Sequence, residues 1–358
     1  MRVIRTFFIL GFLTLITLPL VAMGRNRAEL RSEKRTRAAF PQLTLADWHS
    51  FPERFEAYFR DNFGFREALI HWHSVLTVKE LRESPVRQVI IGGHHRLFFA
   101  AYGDGLDIRD FAGRYPPRRA DLDVYLQHQL ERARQYAAAG ARYLVVLVPN
   151  KQTVYPEDVP AQFGPHAPGL FDAVMAQLGG RRDLEVLDLR PLLLAHRDEG
   201  LYYDTDTHWN TNGAFLAATA IMDRVRPWFP SLLSLARADY DVTETRGGAG
   251  DLATMLSMPD DFSDTNWSFR RRESHKRQVV AEMVHRIYEQ PGAPRPHVLL
   301  MGDSFGAEVA ELLADVFGRL HYFYSARAGY DAKVVADEKP DLVVLVLVER
   351  YLPRLADL

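Results

Sequence analysis

The sequence predicts an α/β protein: a sheet of buried strands covered by helices, with an apolar helix ahead of it. Three observations carry this. Residues 143–148 and Leu342–Val348 are continuous apolar runs without alternation, as expected for strands buried on both faces of a parallel sheet. Segments of helical period lie between such runs, so strand and helix alternate along the chain. Residues 6–23 are almost unbroken in their apolar character, with Arg2 and Arg5 before them and Arg25 and Arg27 after.

That first element is a membrane-targeting segment. Its length falls between a signal-peptide core and a spanning helix, which needs roughly 17–25 residues. Ala22 and Gly24 offer a small-x-small cleavage site, but the long run without a polar cleavage region favours an uncleaved anchor. Arg2 and Arg5 favour an N-in orientation, a signal weakened by Arg25, Arg27 and Arg31 on the other flank. The expectation is an anchor or signal peptide over 1–24, a stalk and helical segment over 25–80, and a catalytic domain over 81–358 outside the cytoplasm.

Residues 29–37 are densely charged and read as a solvated stalk. Phe51, Phe55, Tyr58 and Phe59 then fall on one helical face, residues 61–66 make a turn, and 67–81 form a second helix. Residues 89–91 and 96–99 are short strands around Gly92 and Gly93. A helix over 121–139 ends at Gly140, and strand 143–148 runs into Pro149, Asn150 and Lys151, polar groups at a carboxyl edge. Helix 171–178, strand 184–189 and helix 212–225 continue the alternation. Residues 239–277 read as a looser stretch rich in charge and glycine, and strands 298–301 and 342–348 complete the sheet. Ligands of such folds sit near the carboxyl ends of the strands.

Composition narrows the function classes. The 358 residues are 47% hydrophobic and 25% charged, which fits a globular chain, and a net charge of -2 argues against a nucleic-acid partner. With no cysteine, no disulfide holds the fold.

Two segments carry the chemistry. In Asp206-Thr207-His208 a carboxylate can orient an imidazole, and Gly302-Asp303-Ser304-Phe305 places a hydroxyl between a strand and the helix beginning near Ala307. The imidazole would take the Ser304 proton during attack and return it later, with Asp206 stabilising the imidazolium. Against this stands a purely structural reading, in which Asp206 caps a turn, His208 packs and Ser304 caps the helix. A metal reading uses Asp204, Asp206 and His208, which share one face of an extended segment, but it leaves Ser304 without a role and has no second ligand cluster. Neither a metal nor another cofactor is expected. Asp303 points away from Ser304 toward local hydrogen bonds, Trp209 is read as a packing residue, and Asn210 as the cap of the following helix.

These residues resemble the SGNH-hydrolase-like alginate O-acetyltransferases of the AlgJ/AlgX type. The matching segments are residues 61–66, 148–156, 206–209, Gly250-Asp251-Leu252 and 302–305, and their shared order is more specific than any one of them. In ordinary SGNH hydrolases the serine block comes first; here the Asp-His pair precedes Ser304, as in the acetyltransferases. The resemblance implies Ser304 as nucleophile, His208 as base and Asp206 as its orienter, with acetyl passing through Ser304 to an exopolysaccharide hydroxyl. It further implies a membrane-bound O-acyltransferase as acetyl donor and a periplasmic site at the inner membrane. The Ser304 N–H is the best candidate for stabilising the oxyanion, with Asn150, Arg327 and Tyr330 as further oxyanion or substrate-binding candidates. A polysaccharide deacetylase or esterase and a non-catalytic polysaccharide-binding component are the alternatives.

Overall fold

Strands that are apolar at every position can be buried only if both faces are covered, and that requirement organises the chain. The computed structural model describes residues 2–23, 29–30, 35–44, 47–100, 106–292, 296–325 and 330–357. They divide into two compact units, Met1–Val86 with Ala253–Phe262, and Arg87–Leu252 with Ser263–Leu358.

In the first unit α1 (Arg2–Val21) contains Ile4–Val21, of mean hydropathy 2.0 and with none of it buried, so it is long and apolar enough to cross a membrane. Strands β1 (Glu29–Leu30) and β2 (Arg35–Thr36) pair within the stretch expected as a stalk, of which 31–34 lie outside the described residues. Helix α2 (Phe51–Asn62) starts with Pro52 in its first turn, where the missing N–H costs nothing. Phe65, at φ 64°, turns the chain into α3 (Arg66–Val75), which closes in a π turn over Leu76–Glu80.

The second unit opens with the hairpin β3 (Val89–Ile91) and β4 (Leu97–Phe99), then α4 (Leu106–Phe111) and α5 (Arg119–Ala138). Next come β5 (Arg142–Val148), α6 (Lys151–Val154), α7 (Leu170–Leu178), β6 (Glu185–Asp188), α8 (Arg190–Ala195) and α9 (Thr211–Val225). The ribbon β7 (Tyr240–Gly247) and β8 (Asp264–Arg271) follows, with α10 (Asp251–Met255) starting between its strands. The chain ends through β9 (Arg277–Ala281), β10 (His285–Glu289), β11 (His297–Gly302), α11 (Phe305–Leu313), β12 (Arg319–Tyr324), α12 (Ala332–Glu338) and β13 (Leu342–Val348).

Seven strands form one sheet in the order β6-β5-β13-β11-β12-β10-β9. The first five are parallel and the last two antiparallel, so the sheet is mixed. Side chains alternate between two cores, as the period of a strand demands. Leu144, Val146, Leu300 and Val344 meet Phe215, Phe305 and Val309 on one face; Val145, Leu299, Val343 and Leu345 meet Tyr125, Phe171 and Val174 on the other.

Two departures from the sequence reading share one cause. Residues 239–277, read as loose, hold the β7–β8 ribbon, and β9, β10 and β12 were not anticipated. Strands β7 and β9 are mostly exposed and β8 only half-buried, so they lack the continuous apolar run that betrays a central strand. Strand β12 buries Leu320, His321 and Tyr322, and the polar Arg319 and His321 break its apolar run.

Beside the site, Gly302 pairs with Val346, and a Cβ there would stand 2.4 Å from the Val346 carbonyl oxygen. Gly302→Ala is expected to force β11 from β13 and lower stability by about 1–3 kcal/mol, measured by urea unfolding.

Candidate active site

Two of the three reactive groups lie on a loop, residues 203–209, that has no ladder of its own to hold it. Its backbone is fixed from outside. Lys151, only 2% exposed, reaches from the end of β5 and donates to three carbonyls: Tyr203 O at 2.9 Å, Asp204 O at 3.0 Å and Asp206 O at 2.7 Å. Burial pulls this ammonium down to about 8, although the surrounding carboxylates, Asp206 first, oppose the fall. Asp264 takes the Thr205 N–H at 2.9 Å and its hydroxyl at 2.5 Å. Asp251 and the loop clasp one another: its carboxylate accepts from Thr207 N–H at 2.9 Å and Thr207 hydroxyl at 3.1 Å, while its own N–H donates to Asp206 Oδ2 at 2.9 Å. Gly250 must be bare for this approach, since a Cβ would lie 2.3 Å from that of Asp206. Asn210 then caps α9, its side chain accepting from Asn212 and Gly213 N–H at 3.0 and 3.1 Å.

The third group stands on the strand-to-helix turn. Asp303, fully buried, spans it: Oδ1 accepts from Phe305 N–H at 2.9 Å and Oδ2 from Val348 N–H at 2.7 Å, tying the start of α11 to the end of β13. Burial raises the Asp303 carboxyl above its usual range, against those two bonds. Tyr322 adds a hydrogen bond to the Asp303 carbonyl at 2.9 Å. Phe305, pointing into the core, packs its ring 5.1 Å from His208 and 5.0 Å from Trp209, so loop and turn share one aromatic contact.

These constraints bring Asp206, His208 and Ser304 together. Asp206 Oδ1 meets His208 Nδ1 at 2.5 Å, and His208 Nε2 meets Ser304 Oγ at 2.6 Å. Asp206 Oδ1 also accepts from the His208 N–H at 2.9 Å. Burial alone would raise the Asp206 carboxyl, but the hydrogen bond and charge of His208, with the N–H groups of Asp251 and His208, hold it well below the usual range. The carboxylate is therefore ionised and its partner nitrogen is Nδ1–H, which leaves Nε2 to face the hydroxyl. Ser304 opens on a cavity of about 610 Å³ whose wall includes Trp209, Met283, Val284, Arg286 and Tyr324.

The other sequence candidates sit elsewhere. Asn150 is buried at the cap of α6, its N–H donating to Glu349 Oε2 at 2.7 Å, and it does not line the cavity; β13 separates its strand from β11. Tyr330 packs 5.2 Å from Tyr136, against the core on the opposite face of the sheet from Phe305. Arg327 lies outside the described residues. Asp204 turns to Arg96, 3.3 Å away, rather than joining His208. The group that does gather ligand atoms is Asp206, His208 and Asp251, yet its carboxylate oxygens already accept from backbone N–H, the Thr207 hydroxyl and the imidazole. Lys151 and Asp251 were not singled out from sequence for a role; each lies in a segment that matched the family, and that adjacency was the available signal.

Two expectations follow from this network. Asp251→Ala leaves the Thr207 N–H unpaired and takes the acceptor from its hydroxyl, so it should cost about 1–3 kcal/mol in thermal unfolding and slow reaction of Ser304 with an activated ester at least tenfold, with Asp251→Asn intermediate. Glu349 is pushed up to about 8 by burial, with the Asn150 and Thr153 hydrogen bonds opposing. A carboxyl raised in the folded state binds its proton more tightly there, so its stabilisation is full below its ordinary range and is lost as pH climbs to about 8. Glu349→Gln should remove about 2–4 kcal/mol of that decline between pH 5 and 8 in urea titrations.

Comparison with known proteins is consistent with this geometry. A family described as "SGNH hydrolase-like domain, acetyltransferase AlgX" matches residues 113–319, more than half of the chain and including all three reactive groups. A search of curated protein sequences returns no match. Among solved structures, Bacillus cereus PatB1 is similar at 13% identity and a TM-score of 0.54, covering 66% of this chain and 92% of that one. A DHHW family protein from Eubacterium siraeum is similar at 14% identity and 0.53, over 66% and 86%. The O-acetyltransferase domain of Pseudomonas putida AlgJ aligns at 19% identity and 0.46, over 74% and 92%. At such identities the likenesses to PatB1 and the DHHW family protein concern the fold.

Proposed function

Because the chain belongs to the SGNH hydrolase-like, AlgX-type acetyltransferase family, we propose that it moves acetyl groups through Ser304 to hydroxyls of a bacterial exopolysaccharide such as alginate. The observation that carries this reading is the unbroken relay from Asp206 Oδ1 through His208 to Ser304 Oγ, with contacts of 2.5 and 2.6 Å. The first joins an ionised carboxylate to an imidazole N–H, the charge-assisted kind of hydrogen bond.

In this mechanism Ser304 Oγ attacks the acetyl carbonyl while His208 Nε2 takes its proton. Asp206 holds Nδ1–H and stabilises the imidazolium. Collapse of the tetrahedral oxyanion expels the donor's oxygen, which receives the proton from His208, and leaves acetyl-Ser304. A sugar hydroxyl then gives its proton to His208 as its oxygen attacks the acetyl carbon; Ser304 Oγ departs and takes that proton back. The Ser304 N–H, at the start of the nine-residue α11, is the oxyanion donor in this reading, where the helix dipole also favours negative charge.

Helix α1 supports a site tethered at the outer face of the inner membrane, in the periplasm, where a membrane-bound O-acyltransferase would supply the acetyl group. A cleaved signal peptide is the other use of such a helix.

The test incubates the purified protein with 4-nitrophenyl acetate and alginate oligosaccharides. Acetylated oligosaccharide is the expected product, and Ser304→Ala should lower its rate by a factor of about 10³ or more. Free acetate with no acetylated sugar would instead mark an esterase.

A further inference from the structure

We propose that Glu308 positions the acceptor sugar in the Ser304 cavity by hydrogen bonding to its hydroxyls, an inference that rests on the acetyl-transfer reading above. Glu308 lies four residues beyond Ser304, hence on the same side of α11 one turn along, and lines the same cavity of about 610 Å³. Its Oε2 is shielded from water and has no hydrogen-bond partner, with the Thr211 side chain near the carboxyl. An unpaired buried oxygen costs about 1–3 kcal/mol, which a ligand hydroxyl reaching it would recover. The terminal torsion of a glutamate is broad, so the carboxyl can turn toward a ligand in the cavity.

The surroundings select the kind of group it would meet. Asp206 from the loop and Glu311 on the same helix place negative charge near Glu308, with Arg286 from β10 the cation that faces it. An anionic part of the ligand would be repelled beside two carboxyls, whereas a neutral hydroxyl would not. Burial, then those two carboxylates, raise Glu308 to about 7, so near neutral pH it can either donate to or accept from a hydroxyl, which itself does both. Tyr324, exposed on the cavity wall, supplies flat surface suited to a sugar ring.

The experiment separates the two half-reactions in the full chain. Formation of acetyl-Ser304 from 4-nitrophenyl acetate is followed by the burst of nitrophenolate, and transfer by titrating alginate oligosaccharide. Glu308→Ala should raise the oligosaccharide KM about tenfold while changing the acylation rate constant less than twofold, and Glu308→Gln, which keeps shape and hydrogen bonding, should fall between. An unchanged KM in both variants would overturn the proposal, and so would equal losses in acylation and transfer, which would make Glu308 a structural support of Ser304. If the unsubstituted protein formed no acetyl-Ser304, the acyl-enzyme reading would fail first and take this inference with it.

Discussion

A buried ammonium without a paired carboxylate is an expensive choice, and the site depends on one. The three carbonyls that Lys151 gathers belong to a loop that forms no continuous ladder; Asp204 O also accepts from Leu97 N–H at 2.8 Å, whereas for Tyr203 O and Asp206 O the alternative partner would be water. By taking them, the lysine converts a flexible connection into a rigid one and fixes the direction in which Asp206 and His208 leave the backbone. The cost of desolvating Lys151 is visible in its lowered affinity for a proton and is offset by the nearby carboxylates. Asp264 and Asp251 then fasten Thr205 and Thr207, the residues on either side of Asp206.

The second half of the site obeys a different logic. Ser304 is placed by regular structure: β11 lies between β13 and β12, and α11 packs back over the sheet. Asp303 makes the turn between them stiff by bonding to the first residue of α11 and the last of β13 at once. In the proposed mechanism the nucleophile stands on a rigid turn and the base on a clamped loop, so they need no induced movement to meet, and preorganisation of that kind is where much of an enzyme's rate enhancement originates. The shared Phe305 ring couples the two supports through packing with His208 and Trp209.

What the sequence made legible follows from the range of each interaction. Asp206 and His208 are two residues apart, so their pairing could be read locally, and Ser304 could be placed by the strand and helix that flank it. Asn150 lies away from Ser304 because proximity to a strand end says nothing about lateral strand order, and β13, the last strand in the chain, inserts between β5 and β11; Tyr330 packs on the opposite face of the sheet from Phe305. Lys151 was hidden for a related reason: residue type suggests a solvated lysine, and only the tertiary fold shows it enclosed. The clasp of Asp251 depends on a segment more than forty residues downstream returning to the loop. Strands β7 to β10 were missed since one-sided or exposed strands do not show the continuous apolar pattern that identified β5 and β13.

The central claim is that His208 makes the Ser304 hydroxyl the nucleophile. Peptide mass spectrometry after brief exposure to 4-nitrophenyl acetate at neutral pH tests it directly. The account predicts a single acetyl group on the peptide containing Ser304, absent from a His208→Ala variant that remains folded. Equal acetylation of that peptide in the variant, or acetyl found only on other residues, would contradict it.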